Sequence, residues 1–142
     1  MQTFVNEHTA TDIAKLLDKK RLWKQCIEAK QIYKALTVEE YGWKNHPAVK
    51  MWRGHEHALL LYGYEMLKEA VDNRGVKSVK LVLWYFEELE KEPVGSSDLP
   101  EWWGRDDVHD SHRARLWQKD PVAYAQYEQF GQTIEEYVWP VS

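Results

Sequence analysis

The chain has 142 residues, 44% of them hydrophobic and 30% charged, which suits one domain, 1–142, built around one sizeable core. Its formal charge of −4 and pI of about 5.9 argue against non-specific nucleic-acid binding, which relies on an excess of Lys and Arg. No apolar run approaches the ~20 residues of a membrane span, the start MQTFVNEHTATD has no signal-peptide pattern, and the single cysteine, Cys26, excludes an intramolecular disulfide and fits a reducing, cytoplasmic setting.

Thr9 or Thr11 can cap a first helix running to about Leu36, with Ile13, Leu16, Leu17, Ile27, Ile32 and Leu36 as its apolar stripe. Residues 41–46 read as a connection. Pro47 opens a second helix to about Val71 or Asp72, stopped by Asn73-Arg74-Gly75. Val79, Val82, Leu83, Phe86 and Leu89 predict a third helix over 76–91; a strand over VKLVLWYF is the weaker reading. EPVGSSDLPEWWGRDD reads as a surface loop. Asp106 or Asp107 can cap a fourth helix through Lys119. Pro121 opens a short fifth that ends near Gly131, and EEYVWPVS lies extended on the surface. The expected fold is all-α: a compact bundle of four to five helices with an extended C-terminal tail.

Charge is uneven along this frame. Lys15, Lys19, Lys20, Arg21, Lys24, Lys30 and Lys34 against Asp12, Asp18 and Glu28 leave residues 12–34 at +4. Glu87, Glu88, Glu90, Glu92, Asp98 and Glu101 against Lys91 leave 86–101 at −5. A basic face on an acidic protein can still hold phosphates. Aromatics are abundant, with eight Trp and eight Tyr, enough for a core and for some exposed rings that stack on bases or a partner.

Three clusters could carry chemistry. Arg21, Lys24, Gln25 and Glu28 share one helical face by their spacings of three and four. A carboxylate among cations and an amide suits acid–base work or substrate orientation; the bland alternative is a solvated face with Glu28 paired to Lys24. In Trp52-Arg53-Gly54-His55-Glu56-His57, histidines two apart point to different faces and make a poor metal pair. Gly54 permits a close backbone or base approach there, or simply marks a helix crossing. His109 and His112 have a spacing that can bind metal but lack a nearby third ligand, so no metal and no cofactor is expected. Arg115 and Lys119, one turn apart, could grip a phosphate or form a solvated face. No G-x-S-x-G elbow, Gly-rich phosphate loop or paired CxxC occurs, and Cys26 within a helical pattern is expected to be inert.

In order and spacing these segments resemble the pyrimidine-dimer DNA glycosylases, the small phage and bacterial repair enzymes historically called endonuclease V. LDKKRLWKQCIEAKQI resembles the family's first long helix, with Glu28 at the catalytic glutamate. HPAVKMWRGHEHALLLYG resembles a segment in which a proline precedes Gly-His, here Pro47, Gly54 and His55. ARLWQK matches an Arg-Leu-x-x-Lys pattern, and YEQFG resembles an aromatic-rich motif near the C-terminus. Bacterial relatives share patterns like LDKKRL, NHPAVKMWRG and YVWP.

The resemblance implies a glycosylase with abasic-site lyase activity on damaged double-stranded DNA. The amine at the chain start forms an imine with the sugar, the base leaves, and β-elimination nicks the strand. It implies catalytic roles for Met1, Gln2 and Glu28, and DNA contacts from Arg21, Lys24, Arg53, His55, His112, Arg115 and Lys119, in a monomer without membrane association. The sequence departs from the phage pattern at three points: Gln2, a long side chain, retains Met1 and makes its amine the nucleophile; Ile27 replaces a cation; and the net charge is acidic. Two alternatives follow from those departures. One is an enzyme of this fold acting on a modified base or nucleotide. The other is a non-catalytic DNA-binding module.

Overall fold

A computed structural model describes residues 1–91 and 99–141, and these form an all-helical bundle. The first expected helix is two. Helix α1 (Ala10–Leu16) starts at Thr9, whose hydroxyl accepts from Asp12 N at 3.1 Å. The chain then turns extended at Leu17, and α2 (Lys19–Thr37) starts afresh at Asp18, whose carboxylate accepts from Arg21 N. An acidic N-cap inside a periodic run thus breaks the helix and re-aims it.

The second expected helix also divides. His46 caps α3 (Pro47–Lys50) by accepting from Ala48 N, with Pro47 in the first turn. A turn over 51–55, with Gly54 at φ +87°, leads to α4 (Glu56–Asn73). Gly75, at φ +70°, ends α4 as expected, with Val76 N donating to Ala70 O.

Helices α2 and α4 form the central pair, and α1 and α5 (Val79–Lys91) pack on α4. Only part of the expected α5 stripe faces inward: Val82 and Leu89 pack against the core, but Val79, Leu83 and Phe86 are 75%, 52% and 47% exposed, while Leu81 and Tyr85 are buried. Tyr85 sets this rotation. Its ring lies so close over Gly63 that a Cβ there would meet the hydroxyl at 2.2 Å, and that hydroxyl donates to Cys26 O at 2.7 Å.

Helix α6 (Asp106–Lys119) is capped by the backbone of Arg105, not by an aspartate; Asp106 and Asp107 occupy its first turn, where the helix dipole favours negative charge. Pro121 opens a turn, not a helix; a 3₁₀ turn (Ala125–Tyr127) and α7 (Glu128–Thr133) follow and pack on α6. Part of the expected surface loop, residues 92–98, lies outside the described residues. The rest is mostly surface, with Leu99, Glu101, Gly104 and Arg105 exposed, but Pro100 and Trp102 are buried, and Trp102 packs against Trp52 and donates to Met51 O at 2.7 Å. Among the described residues no helix is long and apolar enough to cross a membrane.

The feature that positions the site is the chain start. Thr3, Phe4, Val5 and Asn6 are buried between the α2–α4 pair and α6, in no regular element. Side chains satisfy their main-chain groups. Gln25 Oε1 accepts from Phe4 N at 2.9 Å, and Tyr62 donates to Phe4 O at 2.7 Å. His112 Nδ1 accepts from Val5 N and His109 Nδ1 donates to Val5 O, both at 2.8 Å. Arg113 donates to Asn6 O at 2.7 Å and Tyr137, in the extended tail, to Thr3 O at 3.2 Å.

Candidate active site

The thread delivers Gln2 to a cleft lined by Gln2, Phe4, Arg21, Lys24, Gln25, Glu28 and Lys119, with the chain-start ammonium near enough to act on Glu28. One face of α2 supplies four of these residues because positions 21, 24, 25 and 28 lie within a narrow arc of a helix. Glu28 accepts from Gln25 Nε2 at 3.0 Å and lies by the Gln2 main chain, which favours its charged form. Burial raises its pKa above the usual carboxylate range, against the opposing pull of the chain-start ammonium and of Lys24. A carboxyl so placed is a better proton acceptor near neutrality than an exposed one.

Gln25 is the hub. Its oxygen lies 2.8 Å from the Tyr62 hydroxyl, whose one proton is shared between it and Phe4 O, and its amide nitrogen donates to both Gln2 O (3.1 Å) and Glu28. The side chain is buried, and three of its hydrogen bonds, with Phe4 N, Gln2 O and Glu28, tie the thread to the carboxylate. Its glutamine identity matters because the amide puts two N–H donors and an accepting oxygen on one planar group.

The cations differ in availability. Lys24 and Lys119 are exposed at the rim. Arg21 is engaged by Asp18 at 3.2 Å and Asp120 at 3.8 Å, and lies 5.8 Å from the Tyr124 ring centroid. Asp18 in turn receives the Tyr124 hydroxyl. Arg115 stands 5.7 Å over the ring of Tyr137, the residue that donates to Thr3 O.

Three expected site residues lie elsewhere. Arg53 and His55 line a separate groove with Met51, Trp102, Arg105 and Pro140. The turn that carries them does reach the thread, but through Trp52, whose indole donates to the Thr3 hydroxyl at 3.0 Å. His112 is fully buried and is no DNA-facing group: its ring stacks on Tyr137 at 4.3 Å, and burial pushes its pKa down to about 3. His109 is buried too, with Nε2 accepting from Gly104 N at 2.9 Å. The pair with metal-like spacing therefore grips both main-chain groups of Val5, and among the described residues no cluster of three or more His, Cys, Asp or Glu could hold a metal ion. Cys26 is buried, with its thiol pushed up to about 12 by desolvation.

Sequence reasoning missed Tyr62, His109 and Tyr137 as organisers of the site. Each acts through a hydroxyl or ring nitrogen aimed at the non-periodic thread, so no spacing rule points to them. Tyr127, in the YEQFG segment, is a fourth: it accepts from Asn6 and donates to Glu7 at 2.6 Å.

Residues 1–82, more than half of the chain, match the family model described as "Pyrimidine dimer DNA glycosylase". No curated protein and no solved structure matches the chain.

Proposed function

Because the chain belongs to the pyrimidine dimer DNA glycosylase family, we propose that it excises damaged pyrimidines from double-stranded DNA and nicks the resulting abasic site, using the Met1 amine as nucleophile and Glu28 as its acid–base partner. The observation that carries this reading is the shared cleft. Gln25 donates to both Gln2 O and Glu28, and Glu28 feels the charge of the chain-start ammonium, with Lys24 and Lys119 at the rim.

The chemistry follows from that arrangement. An α-amine titrates near ~7.7–8.0 against ~10.4 for lysine, so far more of it is neutral and nucleophilic at pH 7. Its lone pair attacks C1′ of the damaged nucleotide. The C1′–N bond breaks, and the base leaves with the electron pair and gains a proton. The ring oxygen departs C1′ as an imine forms, Glu28 stabilising the positive charge and shuttling the proton. Loss of a C2′ proton then expels the 3′ phosphate by β-elimination. Lys24, Lys119 and Arg115 bind flanking phosphates, with Arg21 partly neutralised by its aspartates. Arg53 and His55 contact the duplex at a second place, outside the reacting cleft. A pyrimidine dimer is already poorly stacked, which lowers the cost of opening the helix.

Borohydride trapping tests this. With a duplex carrying one thymine dimer or one abasic site, the wild-type chain forms a covalent adduct, and Glu28→Gln or N-terminal acetylation abolishes it. An adduct that survives acetylation assigns the chemistry to a lysine and overturns the proposal, as does the absence of any adduct.

A further inference from the structure

Helix α5 carries an apolar line on its solvent side. Val79, Leu83 and Phe86, spaced by four and three, are exposed there, and the exposed Glu90 ends the line. That spacing is the seam of a two-helix coiled coil. Beside it, Phe86 and Val82 form one wall of a groove whose other wall is Tyr64 and Val71 of α4. Tyr85, seated over Gly63 and bonded to Cys26 O, fixes the rotation that turns this face outward. A partner therefore meets a surface already in place, with little left to order on binding.

Charge along the same helix selects the partner. Lys80 stands in the first turn, and Glu87 and Glu90 stand towards the end, the reverse of what the helix dipole favours. Lys80 and Glu87, seven residues apart, share the flank of the seam nearer α2. Among the described residues neither they nor Glu90 enters an ion pair. The basic end is reinforced from α2: burial first, then Lys34 and Lys80, lower the pKa of Lys30.

Turned end for end, this helix is its own complement. With a two-fold axis crossing near position 84, Leu83 meets the partner's Phe86, and Val79 meets the aliphatic stem of the partner's Glu90. Lys80 then faces the partner's Glu87, and by symmetry this pair forms twice. Antiparallel pairing also sets opposite dipoles side by side, which offsets the unfavourable charge placement within each helix.

We infer that α5 is a self-association surface through which two copies of this chain pair antiparallel about a two-fold axis. The seam spans about three turns, so the interface is small and the pairing reversible, set by concentration. The monomer expected from the family resemblance is then the dilute species. Both clefts stay open in the pair. Helix α5 meets α2 through Trp84, whose ring lies 5.0 Å from Lys30 Nζ, and Lys30 stands two positions from Glu28, on nearly the opposite side of the helix. The pairing does not depend on the chemistry at Glu28.

Sedimentation equilibrium of the full chain up to about 1 mM is the test, with thermal melts in dilute solution alongside. The wild type passes from monomer to dimer as concentration rises. Leu83→Glu weakens dimerisation about 100-fold or more, since two leucines lose their burial and two carboxylates meet apolar surface. Its dilute Tm stays near wild type, because Leu83 is exposed in the single copy. Lys80→Glu and Glu87→Lys each weaken dimerisation roughly tenfold, as two pairs turn from attractive to repulsive. Combining them, Lys80→Glu with Glu87→Lys, restores the wild-type affinity, because each exchanged end again meets its opposite. A chain that stays monomeric up to the highest concentration leaves the face to a different partner and overturns the inference. So does association that survives Leu83→Glu, growth beyond two copies, or a combined variant no tighter than the single ones.

Discussion

Acid should loosen the hold on the chain start through His112. Its Nδ1 accepts from Val5 N, so a proton on that nitrogen would face an N–H donor, and the ring is wholly buried. Burial holds the folded-state pKa at about 3, opposed in part by the Val138 backbone. Unfolded histidine titrates near ~6.5. With the folded pKa depressed, the unfolded chain binds the proton more readily below pH 6.5, so this contribution is complete above that value and is lost as pH falls from 6.5 towards 3. By pH 5.0 the loss reaches about 2 kcal/mol. At this chain length that lowers Tm by roughly 8 °C. His109, whose pKa is also lowered, first by burial, adds in the same direction. Calorimetric melts at pH 7.5 and 5.0 measure the drop. His112→Asn isolates the cause, because an amide oxygen can accept from Val5 N without titrating. That variant loses the stack on Tyr137 and melts lower at pH 7.5, but its acid-induced drop is about 2 kcal/mol smaller than wild type. A wild-type Tm equal at the two pH values, or the same drop in His112→Asn, refutes the reasoning.

Glu28→Gln should cut single-turnover excision by roughly 10²–10⁴-fold. Its Tm should not fall below wild type, since a partly buried carboxylate with a raised pKa contributes little to stability at neutral pH. Gln25→Leu leaves Phe4 N without its acceptor and Gln2 O without its donor, which costs about 2–4 kcal/mol by urea denaturation at roughly 1–2 per orphaned group. It should also lower kcat more than it raises KM, because it displaces the Glu28 and Gln2 pair. Gly63→Ala forces a methyl into the ring of Tyr85, which its bond to Cys26 O holds in place, and should cost about 1–3 kcal/mol in the same assay.

The α2 face was readable in advance because the spacing of Arg21, Lys24, Gln25 and Glu28 implies proximity wherever the helix starts; missing the Asp18 cap displaced the start without disturbing the face. The rotation of α5 was not readable. Its apolar residues are plentiful enough to define a stripe, but the fit of Tyr85 over Gly63, a contact with another helix, decides which side is buried. His109 and His112 show a deeper limit. Residues three apart on a helix can hold a metal or clamp a strand equally well, and only the location of Val5 distinguishes them. The thread itself has no period to detect: Gln2 to Asn6 alternate in no pattern, and their burial depends on partners far along the chain.

Those partners carry a kinetic consequence. The bonds that seat the chain start span from 21 residues, for Phe4 and Gln25, to 134, for Thr3 and Tyr137. Closing loops of that length is slow relative to forming helices. Late docking of the thread is therefore expected, since the seat of Thr3 includes Tyr137 from the far end of the chain. On the proposed mechanism, the pairing of Met1 with Glu28 is then completed only after these long-range contacts have formed.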